Sequence, residues 1–343
     1  MGAIKEKRNK MSDNDIQEPL LPPDEMPQPA KAMGLNGQST LTAASHPFTQ
    51  HMRDEGFAIN TVKSFGSDLR LLTSFLGANQ ILGEIGTDEL NKFLNRLVYE
   101  RGVPCSPKSY ARRITTMKVF FAWLHEAGVL LYDPAKAVVQ HSAISPLPTI
   151  PTDEQIAQAV AASEAWRRGQ SLGPNKRKAD ARPHLLLTLL LQTGIKKGEA
   201  MGLVLNHIER EEHNPQIFIR YKNPRLRTKE RRLAIEPSWL DVLDEYVGQY
   251  SIKEPLFTCT PRNLEYILRD IGDDAGLERG LISFENLRWV SALTDMKNGM
   301  DHDLIREKQG LSKITWRETR SKLERLWEKQ RIAAEVEEAV ASE

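Results

Sequence analysis

Apolar residues recur at spacings of three and four through most of the chain, and the places where that rhythm alternates or stops mark its organisation. Val62, Phe65, Leu69, Leu72 and Leu76 share one face of a helix for which Asn60 is the candidate N-cap. A second helix is predicted from Thr87-Asp88-Glu89-Leu90, where carboxylates in the first turn favour the helix dipole. A third follows Ser106-Pro107, with Tyr110, Ile114, Met117, Phe120, Phe121 and Leu124 on one side, and stops at Gly128. Ser142, Ser145, Pro146 and Pro148 then break the pattern, and proline-rich composition makes 141–150 a semi-rigid linker.

Beyond the linker, Thr152-Asp153-Glu154-Gln155 has the residues of a capping box, and His184 to Leu191 reads as an apolar helix ending at Thr193-Gly194. The period changes from helical to two only at 215–221, with 231–235 as the returning strand and a basic turn between them. Trp239 to Tyr250 and Arg262 to Ala275 are amphipathic helices separated by a short strand or turn at Leu256-Phe257. Ile314 to Val340 is helical and charged, with an acidic end. The expected architecture is therefore mainly α: an all-helical domain over 47–140, an α+β domain with a small antiparallel sheet over 151–330, and an acidic tail over 331–343. Residues 1–46 carry a basic cluster, several prolines and no apolar periodicity that would offset chain entropy, and are expected to be a disordered arm.

Composition narrows the function classes. The 343 residues suffice for two cores, and a hydrophobic fraction of 40% with 27% charged residues is that of an ordinary soluble chain. Lys and Arg number 47 against 46 Asp and Glu, so a nucleic-acid role must rest on local patches. Cys105 and Cys259 lie far apart without ligand spacing, which argues against a disulfide framework or structural metal, and no motif asks for a cofactor. No run reaches the ~18 apolar residues of a membrane span and no signal peptide opens the chain, so a cytoplasmic location is expected.

The densest basic stretch is Arg167, Arg168, Lys176, Arg177, Lys178 and Arg182, six cations in sixteen positions, read as a DNA-facing loop with a solvated insertion as the alternative. Lys63 on the first helix, Arg112, Arg113 and Lys118 on the third, and Arg225, Arg227 and Lys229 in the hairpin are further candidates for phosphate contact.

Three stretches together resemble the tyrosine recombinases of the phage-integrase family. Residues 47–140 are similar to its helical, SAM-like core-binding domain, through Asn60-Thr61, Ser106-Pro107-Lys108-Ser109-Tyr110-Ala111-Arg112-Arg113, Phe120-Phe121-Ala122-Trp123-Leu124 and Asp133-Pro134. Thr193-Gly194-Ile195-Lys196-Lys197-Gly198-Glu199 resembles the family's first arginine motif, with Lys196 in the arginine's slot. Phe284-Glu285-Asn286-Leu287-Arg288-Trp289, continuing to Gly310-Leu311, resembles its last catalytic block. In that register Glu285 and Leu311 replace histidines, Arg288 is the unaltered arginine, Arg320 falls at the nucleophilic tyrosine, and no tyrosine follows Tyr266. The hairpin lysine of the family corresponds to Lys229 in one register and to Arg227 in the other.

The resemblance implies a double-stranded DNA partner. It implies also an active recombinase or another copy of the chain docking through the C-terminal helix. Cleavage by this family needs a phosphotyrosyl nucleophile, two arginines and proton-transfer groups. The altered positions imply a DNA-binding protein that does not cut, serving as an accessory subunit in recombination of a mobile element or as a repressor-like regulator. A divergent active recombinase or integrase is the alternative.

Overall fold

The computed structural model describes residues 34–100, 102, 105–138, 146–170 and 178–341, which fall into two compact units, Met1–Ser145 and Pro146–Glu343. The first unit is built from α1 (Leu41–Asp54), α2 (Ile59–Leu76), α3 (Thr87–Asn95) and α4 (Pro107–Glu126). Its apolar stripes meet in one core, where Phe48 stands edge-on to Phe120 at 5.1 Å between ring centroids and Leu69, Leu72, Phe93, Phe121 and Leu124 are buried. Ser106 caps α4 by accepting from the Ser109 N–H at 3.3 Å, as the Ser-Pro start requires.

Two expectations change in this unit. Asn60 lies within the first turn of α2 rather than at its N-cap, which is Ala58 without a side-chain bond. The disordered arm expected over 1–46 does not include 34–46. Thr40 bridges to Ile81 and caps α1, and Leu35, Leu41 and Ala44 are buried. Three apolar side chains before Phe48 were too few to show a period, yet they suffice to close the core. Residues 1–33 lie outside the described residues.

The second unit is organised around α6 (Arg182–Thr193), whose Leu185, Leu186, Leu187, Leu189 and Leu190 are all fully buried. A helix apolar on every side must be surrounded, and α6 is covered by α5 (Asp153–Arg167), α8 (Pro237–Tyr250), α9 (Pro261–Asp274) and α10 (Phe284–Lys297). The Thr152 capping box forms as its residues predict, with the hydroxyl accepting from Gln155 N–H and the Gln155 side chain accepting from Thr152 N–H. A short helix α7 (Lys197–Met201) follows α6.

The sheet is antiparallel with order β1 (Ile208–Glu209), β2 (Gln216–Ile219), β3 (Arg231–Ala234), and Ile217 opposes Leu233 inside the core. Between β2 and β3 the basic stretch is wound into a 3-10 segment, Pro224–Lys229, rather than an open turn. A satellite cluster of Leu293, Met296, Ile305, Trp316, Leu323 and Leu326 fastens α10, α11 (His302–Lys308) and α12 (Lys313–Ala341) together. α12 runs unbroken to Ala341, in keeping with the helix expected over Ile314 to Val340, so the acidic tail expected over 331–343 is helical as far as 341.

Candidate phosphate-binding pocket

The centre of the second unit is a buried carboxylate. Thr193 ends α6, Gly194 turns the chain with φ of 59°, and Lys196 becomes the N-cap of α7 with extended backbone. That geometry returns Glu199, at the third helical position, to the N–H of Lys196, which donates to Glu199 Oε2 at 2.8 Å. Arg231, the first residue of β3, closes on the same carboxylate with both terminal nitrogens, Nη1 at 3.2 Å and Nη2 at 3.0 Å, and the Tyr221 hydroxyl donates to Oε1. Burial acts to raise the Glu199 pKa. The paired Arg231 guanidinium, the Lys196 N–H and the Tyr221 hydroxyl outweigh it and hold the group at about 2. The same contact, added to burial, pushes the Tyr221 phenol up to about 12.

Around this carboxylate the cations are fastened to main-chain carbonyls. Lys196 Nζ donates to Gly310 O at 3.0 Å and lies 3.6 Å from Glu199 Oε1. Arg288 donates to Gly194 O and, through Nη2, to Gln309 O at 3.1 Å. Arg231 Nε donates to Lys308 O at 2.7 Å. The turn at 308–310 therefore accepts from three different cations with three successive carbonyls.

The chain can run this close only at glycine. Gly310 has φ of 59°, and a Cβ there would stand 2.9 Å from Arg231 Nη1 and 3.0 Å from its Cζ. Burial lowers the pKa of both Lys196 and Arg288; Glu199 opposes the shift, and the neighbouring cations add to it. Three cations round one carboxylate leave the pocket with two uncompensated positive charges, the electrostatics of an anion site.

The remaining positions of the block do not add chemistry to it. Glu285 is exposed on the first turn of α10. Trp289 and Leu311 pack against the satellite cluster, as apolar groups should. Arg320 lies on α12, 48% exposed, and pairs with Glu324 at 2.7 Å one turn on. Lys229 ends the 3-10 segment, near enough for its charge to depress Lys196, whereas Arg227 is exposed beside Arg220 and Lys222 in a separate groove.

Among the basic candidates elsewhere, Lys63 and Lys178 are exposed and Lys118 is half-buried. Lys176 and Arg177 lie outside the described residues, as does the side chain of Arg225. Arg112 and Arg113 are both engaged within their own unit. Buried Asp68 accepts from Arg112 Nε at 2.9 Å and Nη2 at 2.7 Å and lies 3.5 Å from Arg113 Nε, so both guanidiniums first serve an ion pair within their own unit. Arg112 keeps an exposed edge, and Arg113 is largely buried against Cys105. Arg231 and Tyr221 were not singled out as site residues in the sequence. The available signal was Glu199 itself, since a carboxylate expected inside a turn must find a cation.

Comparison with known proteins bears on this arrangement. Residues 47–128 match the family model described as phage integrase, N-terminal SAM-like domain. Tyrosine recombinase XerD of Agrobacterium fabrum is 26% identical over 291 residues, covering 76% of this chain and 84% of that protein. XerD of Listeria innocua is 22% identical over 276 residues, covering 76% and 87%. The chain is thus similar to tyrosine recombinases over about three quarters of its length, with a phage-integrase SAM-like domain at 47–128.

Its fold is that of XerH bound to a palindromic difH substrate, with a TM-score of 0.63 and 18% identity over 90% of this chain and 98% of that one. It is equally that of a lambda integrase dimer bound to a COC' core site, with a TM-score of 0.64 and 15% identity over 85% and 79%. Within the recombinase fold, Lys196, Glu199, Arg231 and Arg288 converge as one cluster. Glu285, Leu311 and Arg320 stay apart from its hydrogen bonds.

Proposed function

We propose that this chain binds duplex DNA through phosphate contacts and does not cleave it, working beside an active recombinase or occupying a site as a regulator. The observation that carries the reading is a contrast within the second unit. Lys196, Arg231 and Arg288 keep an excess of positive charge where a phosphate would bind, while the nucleophile's position is an exposed arginine already paired to Glu324. A guanidinium cannot attack phosphorus. The exposed Glu285 carboxylate, one helical turn before Arg288, would repel the charge that develops in phosphoryl transfer rather than stabilise it. Recombination as the setting is supported by the XerD relatives and by neighbours crystallised on DNA.

The half-exposed Trp327 and Ile332 on α12 support a protein partner at that helix, either an active recombinase or a second copy. The test is binding to duplex DNA over a range of salt. Phosphate contacts make the logarithm of affinity fall linearly with the logarithm of salt, and Lys196→Ala should reduce that slope by about one contact. Affinity that ignores salt would remove the DNA reading.

A further inference from the structure

Beside the cation cluster lies a cavity of 540 Å³ formed between α9, α10 and the start of α7, within the usual span of small-ligand sites, roughly 300–1,000 Å³. Leu268, Ile282 and Phe284 make its floor, and Lys197 and Glu265 pair across its lip. One wall is Tyr266, whose ring is 39% exposed. The ring is held in place. Arg262, one turn before it, donates from Nε to the hydroxyl at 2.6 Å, and the Arg269 guanidinium lies 4.7 Å from the ring centroid, itself fixed by Asp270 at 2.6 Å. A fixed aromatic wall over an apolar floor suits a flat apolar group. None of these residues has a part in the buried Glu199 network.

Position supplies the rest. Lys197 at the lip follows Lys196 in the chain, and Glu285 at the other edge is one helical turn before Arg288 and close enough for its charge to act on that guanidinium, so the cavity lies near the anion site. A ligand reaching from one to the other would carry an anion and a planar apolar group. We infer that this cavity receives one unstacked nucleobase of a DNA strand whose phosphate lies on Lys196, Arg231 and Arg288. The inference rests on the DNA-binding reading and adds to it a preference for DNA with an unpaired nucleotide. The acceptor oxygens of Glu265 and Glu285 favour a base with an exocyclic amine, cytosine or adenine, over thymine. A base inside an intact duplex must first be unpaired and unstacked, which costs least at a bulge.

The test compares an intact duplex of arbitrary sequence with the same duplex carrying a single-cytosine bulge, by fluorescence anisotropy with the full chain. The bulged duplex is expected to bind about tenfold tighter, the effect of stacking one base on an aromatic ring. Tyr266→Ala should abolish that preference while leaving affinity for the intact duplex within about twofold, and Tyr266→Phe should retain it. A bulged 2-aminopurine in place of the cytosine should be quenched on binding to the native chain and not to Tyr266→Ala. Equal affinity for the two duplexes, or a preference that survives Tyr266→Ala, overturns the cavity's assignment while DNA binding stands. Failure of the native chain to bind either duplex overturns the DNA reading itself, and the assignment with it.

Discussion

Within the second unit, the candidate positions divide into one half that forms the buried cluster, Glu199, Lys196, Arg231 and Arg288, and another that lies outside it, Leu311 and Arg320, and the two halves have different physical tasks. In the first, every side chain also stabilises the fold: the carboxylate is 6% exposed and is bonded by an arginine, a tyrosine and a backbone N–H, and the cations fasten the 308–310 turn. Removing any one leaves a buried partner unsatisfied. In the second half, Leu311 packs against apolar neighbours and Arg320 sits at the surface with a screened partner. Neither position takes part in the buried ion network. On the function proposed above, phosphate grip rests on residues the fold itself requires, while the positions that would serve only bond cleavage hold leucine and arginine.

The comparison predicts a graded series. The largest effect belongs to Glu199→Ala, which leaves the Arg231 guanidinium buried without its anion. Breaking such a pair should cost about 3–5 kcal/mol, read by urea unfolding. A loss below 1 kcal/mol would place Glu199 with the dispensable half. Acid comes next. Because Glu199 is held at about 2 against a usual 4.5, the unfolded chain binds the extra proton between those values. Its contribution is complete above pH ~4.5, declines as pH falls, and is gone below about 2, on the order of 3 kcal/mol in all. Unfolding midpoints measured across that window should show this decline in the native chain, and Glu199→Gln should flatten it.

Gly310→Ala is expected to cost about 1–2 kcal/mol from the left-handed backbone alone, with more if Arg231 must move from its Lys308 carbonyl. The smallest effect is Arg320→Ala. An exposed i, i+4 pair contributes about 0.3–0.5 kcal/mol, so its midpoint should hardly move and its DNA affinity should be unchanged. A shift as large as that of Gly310→Ala would erase the distinction between the halves.

Much of this was legible in the chain, and the limit has a physical form. Local signals were reliable: Ser106 and Thr152 cap the helices that follow them, the change of period at 215–221 marks β2, and the Thr193-Gly194 to Glu199 stretch folds into the turn its residues imply. What failed to show was pairing over long separations. Arg112 and Arg113 read as an outward basic pair because nothing near them in sequence is acidic. Their partner Asp68 is 44 residues away from Arg112 and on another helix. Arg231 was an alternating strand residue until the fold set it 32 positions back against Glu199. The folding of 34–46 depends in the same way on tertiary neighbours rather than on local pattern, whereas the last helix, read over Ile314 to Val340, was visible in its own sequence.

The central claim, phosphate grip without cleavage, is tested most directly by trapping. The native chain and Arg320→Tyr are each incubated with DNA under conditions where a salt-sensitive complex forms, on a nicked substrate that would strand any cleaved intermediate. Both are then denatured and the DNA is searched for covalently attached protein. The account predicts binding by both chains and an adduct from neither, because a restored tyrosine would still face Glu285 and Leu311 where proton-transfer groups are needed. A reproducible adduct mapping to any residue of the native chain would contradict it.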